Sequence, residues 1–231
     1  FFVKDNKVFQ KNKSYESSQH LNELKRLIDD WKGPSLDFLV SLPLYSGCLG
    51  FFSYESSRYF DSVKFNSFHK NHDFLDYGVW FYDKIILFDH DKKILYLCAT
   101  ASSYAEAQLK IKSLKDDVTY SLEIKRKSRA SGKSSELESN FTYQKYIQTI
   151  EKCRDYIKRG HSYQINLAQE LKCQTELLPW DIYKNLLKIN PVSYASYFKI
   201  DNFHVICGSP ERLVKLKGDK LYTRPIAGTR K

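Results

Sequence analysis

The segment RLVKLKGDKLYTRPIAGTR, residues 212–230, indicates how the last part of the chain folds. Charged and apolar residues alternate on both sides of Gly218-Asp219, which predicts two antiparallel strands joined by a tight turn. The second strand leads into PIAGT, where the backbone of Gly228 and the hydroxyl group of Thr229 would point outward and could hold an anion. The segment therefore predicts a β-hairpin with a candidate binding site at its open end.

Strand and helix patterns alternate along the rest of the chain. Strands are predicted in the segments FFVKDNKVFQ (1–10, turning at Asp5-Asn6), SGCLGFFSYESSRYF (46–60), DYGVWFYDKIILFDHDKKILYLCAT (76–100), SYQINLAQELKC (162–173), SYASYFKI (193–200) and FHVICGSP (203–210). Helical spacing of apolar residues is found at 21–28, 105–114, 143–157 and 179–188. This order predicts an α+β fold of antiparallel sheets, packed as a sandwich with outer helices.

The segment SRASGKSSELESN, residues 128–140, is small, polar and free of aromatic residues. Such a segment cannot bury much surface, so we predict a linker there. It separates an amino-terminal region, 1–127, from the first part of a catalytic region, 141–231. The sequence begins with Phe1 and contains no methionine, so we expect it to be a fragment of a longer chain.

The composition limits the partners that we expect. The net charge is +10, but the lysines are spread along the chain and no nucleic-acid-binding motif organises them, so we expect no nucleic-acid partner. No apolar run reaches the roughly 18 residues that span a bilayer. The start lacks the pattern of a secretory signal, so we expect no membrane partner and a cytoplasmic location. Neither the five cysteines nor the six histidines show a metal-binding spacing.

Three segments place polar groups at predicted strands or strand ends. Gln164 and Asn166 alternate with apolar residues and share one face, Glu211 follows a proline at a strand end where a carboxyl group can be buried, and PIAGT adds Gly228 and Thr229. Each feature also has an ordinary interpretation. The amides can face water, Glu211 can pair with a neighbouring arginine, and Gly228 can belong to a turn.

Taken together, the segments SGCLGFFSYESSRYF, IKRGHSYQINLAQ, GSPERL and RPIAGTR resemble the chorismate-utilising enzymes. This family includes component I of anthranilate synthase and of aminodeoxychorismate synthase, and also isochorismate and salicylate synthases. The four segments occur in the family's order and spacing, and the resemblance covers essentially all 231 residues. It implies the fold of anthranilate synthase component I, incomplete in this chain, because it matches only the amino-terminal half of the family.

The resemblance implies roles for the polar residues. Glu211 matches the family's general acid, which protonates the departing ring oxygen. Gly228 and Thr229 match residues that contact chorismate, and Gln164 and Asn166 lie at substrate-binding positions. The family also binds Mg²⁺, whose carboxylate ligands are expected beyond residue 231, so no metal ligand is assigned to this segment.

Gln164 indicates whether the reaction uses water or ammonia as the nucleophile. The water-using branches of the family carry a lysine at this position, which activates water as a base, whereas a neutral amide cannot deprotonate water. Gln164 therefore favours the branches that use ammonia. That ammonia usually comes from a glutamine amidotransferase partner, and no amidotransferase pattern is found here.

The choice between the two aminating branches stays open. YQINLAQ, with Asn166, resembles aminodeoxychorismate synthases, and we favour that branch. Ala227 replaces a lysine that attacks the ring in many of its members, and alanine there is usual in anthranilate synthases. Ser193, Tyr194 and Ala195 replace the Pro-Tyr-Met of a tryptophan pocket, so regulatory binding of tryptophan is not carried over, although a structural tryptophan remains an alternative.

Two further hypotheses belong to other classes. A non-catalytic, truncated relative would keep the fold and make no product. A basic nucleic-acid binder would show strongly salt-dependent affinity.

Overall fold

The computed structural model describes residues 1–11, 13–31, 44, 46–60, 74–124 and 132–226. The chain divides into two compact units, Phe1–Lys125 and Arg126–Lys231. Helices and antiparallel strands occur in both units, which confirms the α+β class.

The first unit contains a sheet whose described strands lie in the order β3-β2-β1-β5-β4. Its strands are β1 (Phe2–Lys4), β2 (Lys7–Gln10), β3 (Lys13–Glu16), β4 (Gly47–Phe52) and β5 (Tyr77–Tyr82). The turn between β1 and β2 is the predicted one, and Asp5 and Asn6 both adopt positive φ angles, of 49° and 63°. Aspartate and asparagine tolerate this conformation better than most residues, which explains the position of the turn.

A small apolar core lies on one face of this sheet. It consists of Val3, Val8, Leu24, Tyr77 and Val79. Leu24 comes from helix α1 (His20–Asp30), whose apolar face packs on the strands as the helical spacing predicts. A 3₁₀ turn (Tyr54–Ser56) and the short helix α2 (Ser57–Phe60) follow β4. The core therefore joins residues that are up to 76 positions apart in the sequence.

A hairpin and a long helix complete the first unit. The hairpin consists of β6 (Lys84–Asp89) and β7 (Ile94–Ala99), and it turns where Asp89 accepts hydrogen bonds from the backbone N–H groups of Asp91 and Lys92. Helix α3 (Tyr104–Glu123) packs against both strands. Ser103 caps this helix by accepting a hydrogen bond from Glu106 N at 3.2 Å.

The second unit contains two helices and three antiparallel strand pairs among its described residues. Its elements are β8 (Glu138–Ser139), α4 (Tyr143–Lys158), β9 (Leu171–Lys172), α5 (Pro179–Ile189), β10 (Tyr194–Ile200), β11 (Phe203–Ser209), β12 (Arg212–Lys217) and β13 (Lys220–Arg224). Thr142 caps α4, as predicted, and Gly218 forms the predicted turn of β12–β13 with a φ angle of +61°. The pairs are β8–β9, β10–β11 and β12–β13.

One local expectation is wrong. The segment 162–173 is a strand only at Leu171–Lys172, and residues 164–168 alternate between exposed and half-buried without forming a paired strand. Residues 132–140, which belong to the predicted linker, pair with residues 169–176. For example, Ser135 N donates to Gln174 O at 2.9 Å, and Glu176 N donates to Lys133 O at 3.1 Å. Backbone and hydroxyl hydrogen bonds hold this pairing, so it needs no apolar burial.

Within the described ranges, every helix is too short or too polar to cross a lipid bilayer.

Candidate active site

Two of the predicted site segments meet at the open end of the β12–β13 hairpin. The strand register places Arg212 opposite Arg224, so the residues just outside the pair, Glu211 and Pro225-Ile226, become neighbours. Ile226 N donates a hydrogen bond to Glu211 Oε1 at 3.2 Å. The structure therefore joins GSPERL to the start of PIAGT. Residues 227–229, which include Gly228 and Thr229, lie outside the described residues.

The residues predicted for a tryptophan pocket, 193–195, lie beside the strand that leads to Glu211. Strand β10 pairs with β11 so that Tyr194 lies opposite Ser209 and Ala195 opposite Gly208. Ser193 precedes β10, and Ser209 leads through Pro210 to Glu211. Tyr194 and Ala195, predicted for a tryptophan pocket, thus lie opposite residues that are two and three positions before the predicted acid.

Ser209 holds the backbone of Glu211, a role that the sequence reasoning missed. Ser209 Oγ accepts a hydrogen bond from Glu211 N and donates one to Glu211 O, both at 3.3 Å. A serine hydroxyl commonly closes such a short turn by bonding the backbone two residues on. The signal in the sequence was a serine directly before Pro-Glu at a strand end.

Glu211 itself is exposed, whereas the sequence predicted a buried carboxyl group. The reason is local, because the residue lies outside the paired strands and the described chain covers it mainly through Ile226 and Ser209. Within the described residues, Glu211 forms no ion pair with Arg212 or Arg224, the ordinary alternative considered from the sequence. Its carboxylate is therefore oriented by the backbone and open on its other side.

Gln164 and Asn166 follow helix α4 in the segment before β9. Both are exposed, and Ile165 and Leu167 between them are half-buried, so the two amides share one face as the alternation predicts. Ser162 Oγ donates to Gln164 O at 2.9 Å, which fixes the start of the segment. No hydrogen bond between described residues joins either amide to Glu211, so the structure does not link these two parts of the predicted site.

The first unit contains a buried polar cluster that the sequence reasoning did not identify. Asp76 Oδ2 accepts hydrogen bonds from Asp5 N and Tyr59 Oη, both at 2.7 Å, and from an NH2 group of Arg58 at 2.5 Å. Asp76 is only 7% exposed. The detectable signal was a carboxylate next to the apolar strand YGVWFY, together with an arginine in the segment SSRYF.

His20 and Tyr77 extend the cluster. His20 Nδ1 lies 2.7 Å from Tyr77 Oη, and the two residues are 4% and 0% exposed. Burial lowers the pKa of His20, and burial raises the pKa values of Tyr59 and Tyr77, so the histidine is held neutral and the tyrosines stay protonated. His20, Arg58 and Tyr59 also line a cavity of about 610 Å³. These groups form a hydrogen-bonded scaffold under α1 and α2.

The resemblance predicts Mg²⁺ ligands only beyond residue 231. Among the described residues, no three His, Cys, Asp or Glu side chains lie close enough to bind one ion. The described part of the chain therefore offers no fit for Mg²⁺.

Comparison with known proteins gives consistent results. Residues 2–231 match the family model described as chorismate binding enzyme. The chain is 34% identical over 194 residues to aminodeoxychorismate synthase component 1 of Bacillus subtilis, covering 80% of this chain and 40% of that protein. It is 28% identical over 204 residues to anthranilate synthase component 1 of Lactococcus lactis, covering 85% and 44%.

A solved structure shows the same fold. Anthranilate synthase component I from Streptococcus pneumoniae superposes with a TM-score of 0.77 at 21% identity, over 94% of this chain and 49% of that one. The chain spans less than half the length of these relatives.

Proposed function

Since the chain belongs to the chorismate binding enzyme family, we propose that it forms part of an enzyme that aminates chorismate to 4-amino-4-deoxychorismate. The observation that carries this choice is the 34% identity to an aminodeoxychorismate synthase component 1, against 28% to an anthranilate synthase component 1. The presence of Gln164, an amide in place of a water-activating lysine, supports ammonia as the nucleophile.

In the proposed reaction, a carbon–oxygen bond of the ring breaks and a carbon–nitrogen bond forms. Hydroxide is a poor leaving group, so Glu211 in its acid form donates a proton and the oxygen leaves as water. Ammonia supplies the electron pair of the new bond, and the proton that its nitrogen then loses returns to the carboxylate. Chorismate and ammonia thus become the amine and water. Positioned acids of this kind typically contribute about 10²–10⁴-fold to the rate.

The geometry of Glu211 supports this role. Ile226 N holds one carboxylate oxygen and Ser209 fixes the backbone, while the exposed side remains accessible to a substrate. Gly228 and Thr229 continue from Ile226, and we propose that they contact a chorismate carboxylate. Gln164 and Asn166, on one exposed face, are proposed to bind the substrate's polar groups. Mg²⁺ finds no ligand set among the described residues, so no step is assigned to it.

Anthranilate synthesis is the second candidate. Ala227, where many aminodeoxychorismate synthases have a lysine, favours it, and several relatives carry the name anthranilate synthase. A tryptophan pocket at Ser193, Tyr194 and Ala195 stays a prediction under either candidate.

We propose a separate glutamine amidotransferase subunit as the source of ammonia. The relatives' names include "component 1" and "alpha subunit", which supports an assembly of more than one chain. Ammonia is mostly protonated at neutral pH, so a delivering partner would raise the concentration of the reactive form. A cytoplasmic location also stays a prediction.

Product analysis tests the proposal. The full-length protein, incubated with chorismate, Mg²⁺ and ammonium at alkaline pH, should form a product that an aminodeoxychorismate lyase converts to 4-aminobenzoate. Fluorescent anthranilate instead would select the second candidate, and no product from a folded protein would favour the non-catalytic alternative.

Variants of Glu211 test the mechanism. Glu211→Gln should lower kcat by about 10²–10⁴-fold, because the amide cannot donate the required proton. The melting temperature should stay unchanged, since the side chain is exposed. Glu151→Gln, an exposed substitution on α4, is the matched control and should keep full activity. Near-normal activity of Glu211→Gln would remove this residue from the mechanism.

A further inference from the structure

The β12–β13 hairpin contains a buried hydrogen-bond donor that has no acceptor among the described residues. Nε of Arg212 is buried, and no described residue accepts a hydrogen bond from it. Within the described part of the chain, the guanidinium group also forms no ion pair. Buried donors are rarely left unsatisfied in folded proteins because the loss of hydration is costly. We therefore expect a hydrogen-bond acceptor near Nε of Arg212.

A second arginine lies directly across the hairpin. Arg212 is paired in register with Arg224, and side chains paired in this way point to the same face of the sheet. Both guanidinium groups are permanently charged, and like charges in this position destabilise a strand pair. An anion bound between them would remove the repulsion and satisfy the buried donor at the same time.

The rest of this face strengthens the positive potential. The register places Lys215 opposite Tyr222 and Lys217 opposite Lys220, on the same side as the arginine pair. We call this surface the basic face; its residues are Arg212, Lys215, Lys217, Lys220, Tyr222 and Arg224. It has five cationic side chains and no acidic one. The adjacent cations favour an anion at the arginine pair.

The nearest carboxylate does not fill this role. Glu211 precedes Arg212 directly, yet its Oε1 accepts from Ile226 N, and no described ion pair joins it to either arginine. The acceptor must therefore come from elsewhere than the described chain.

We propose that Arg212 and Arg224 form a binding site for an oxyanion, a carboxylate or a phosphate group. Guanidinium groups bind both through paired N–H donors in the plane of the fork. The oxyanion can belong to a free small molecule or to a side chain of the protein or its partner. The site does not depend on the proposed amination, because it rests on the charge, burial and register of the hairpin alone.

Arginine side-chain NMR of the full chain tests the proposal, with inorganic phosphate as the probe. At constant ionic strength set by chloride, the Nε–H signal of Arg212 should shift saturably with a dissociation constant of roughly millimolar order. Arg224→Gln should weaken phosphate binding at least tenfold. Lys217→Gln removes a charge from the same face without touching the arginine pair, so it should change binding less than threefold.

The results distinguish a free small molecule from a protein side chain as the source of the oxyanion. A saturable shift identifies a site open to free anions. Alternatively, the Nε–H proton of Arg212 exchanges slowly with water before phosphate is added, and exchanges at least tenfold faster in Arg224→Gln. This result identifies a carboxylate of the protein as the occupant. Two results overturn the proposal: rapid exchange with no response to phosphate, and equal weakening by Arg224→Gln and Lys217→Gln. The activity of Glu211→Gln is measured in a separate experiment. Failure of the oxyanion-site proposal therefore does not affect the proposed amination, and the reverse also holds.

Discussion

Replacing Asp76 by asparagine should destabilise the first unit by about 2 kcal/mol, because a buried ion pair loses one partner. The carboxylate accepts three hydrogen bonds, from Asp5 N, Tyr59 and Arg58, and its side chain is 10% exposed. The asparagine oxygen can still accept from the neutral donors, so the main loss is the charge facing Arg58. Breaking a fully buried pair costs about 3–5 kcal/mol. The lower value reflects partial solvation, since the Arg58 side chain is 20% exposed.

Urea unfolding measures this loss. Trp31 and Trp80 lie in the first unit and Trp180 in the second, so in the 231-residue chain a Trp180→Phe background restricts the fluorescence signal to the first unit. The midpoint should fall with an unchanged m value, as expected when stability changes and compactness does not. In a double-mutant cycle, Asp76→Asn should cost clearly less when Arg58 is already replaced by glutamine, because the interaction is then absent.

A matched ion pair in the same unit provides the control. Asp83 and Lys110 lie 2.8 Å apart but are more exposed, at 44% and 22%. Exposed pairs contribute little to stability, so Asp83→Asn should cause a much smaller loss. Equal losses for the two variants, or additive effects in the cycle with Arg58, would refute the view that burial makes the Asp76 pair important.

Two other predictions concern the same unit. Burial lowers the pKa of His20 below its ordinary value of 6.5, so the folded state binds this proton less readily than the unfolded state. Stability should therefore fall as the pH drops below about 6.5, and His20→Asn should flatten this dependence in urea titrations at several pH values. Gly50→Ala should destabilise the sheet by about 3 kcal/mol or more, because a Cβ would lie 2.1 Å from Gly78 O and 2.9 Å from Val79 Cα. Gly160→Ala, in the second unit, meets no atom within 4 Å and should cost less when both variants are compared by thermal unfolding, because its cost is limited to the strain of a positive φ.

Local chemistry in the sequence predicted many of the elements. Asp5-Asn6 and Gly218 mark turns because few other residues adopt positive φ angles without strain, and Thr142 marks a helix start because its hydroxyl group accepts from Lys145 N. These features depend on neighbours within a few residues. For that reason they can be recognised without knowing the tertiary structure.

Pairing between distant residues could not be predicted in this way. Strand β1 pairs with β5, so that Phe2 lies opposite Gly78, and no local pattern specifies that partner. Residues 164–168 have the alternation of a strand but form no strand pair, since alternation of exposure does not specify hydrogen bonding. The pairing of 132–140 with 169–176 was missed because polar segments carry no apolar signal.

In the candidate site, too, the sequence predicted the local motifs but not the contacts between distant residues. The motifs identified Glu211 and the start of PIAGT, and the hairpin explains why they meet. The contact from Ile226 N to Glu211 depends on the strand register and was not visible in the sequence, whereas the Ser209 contact left only the signal of a serine before Pro-Glu. The arginine pair also became visible only with the register, because Arg212 and Arg224 are 12 positions apart and a bulge lies between them.

Burial separates the polar groups that stabilise the fold from those available for chemistry. Asp76, His20 and Tyr77 are almost inaccessible and bond one another or their neighbours, so a substitution there acts first on folding. Glu211 and Gln164 are exposed and make few contacts, so the fold loses little when they change. Asp76→Asn should thus lower stability and leave the kcat of the folded fraction unchanged, whereas Glu211→Gln should do the reverse. A variant of Glu211 that lost activity only by unfolding would show that its carboxylate supports the hairpin and not the reaction.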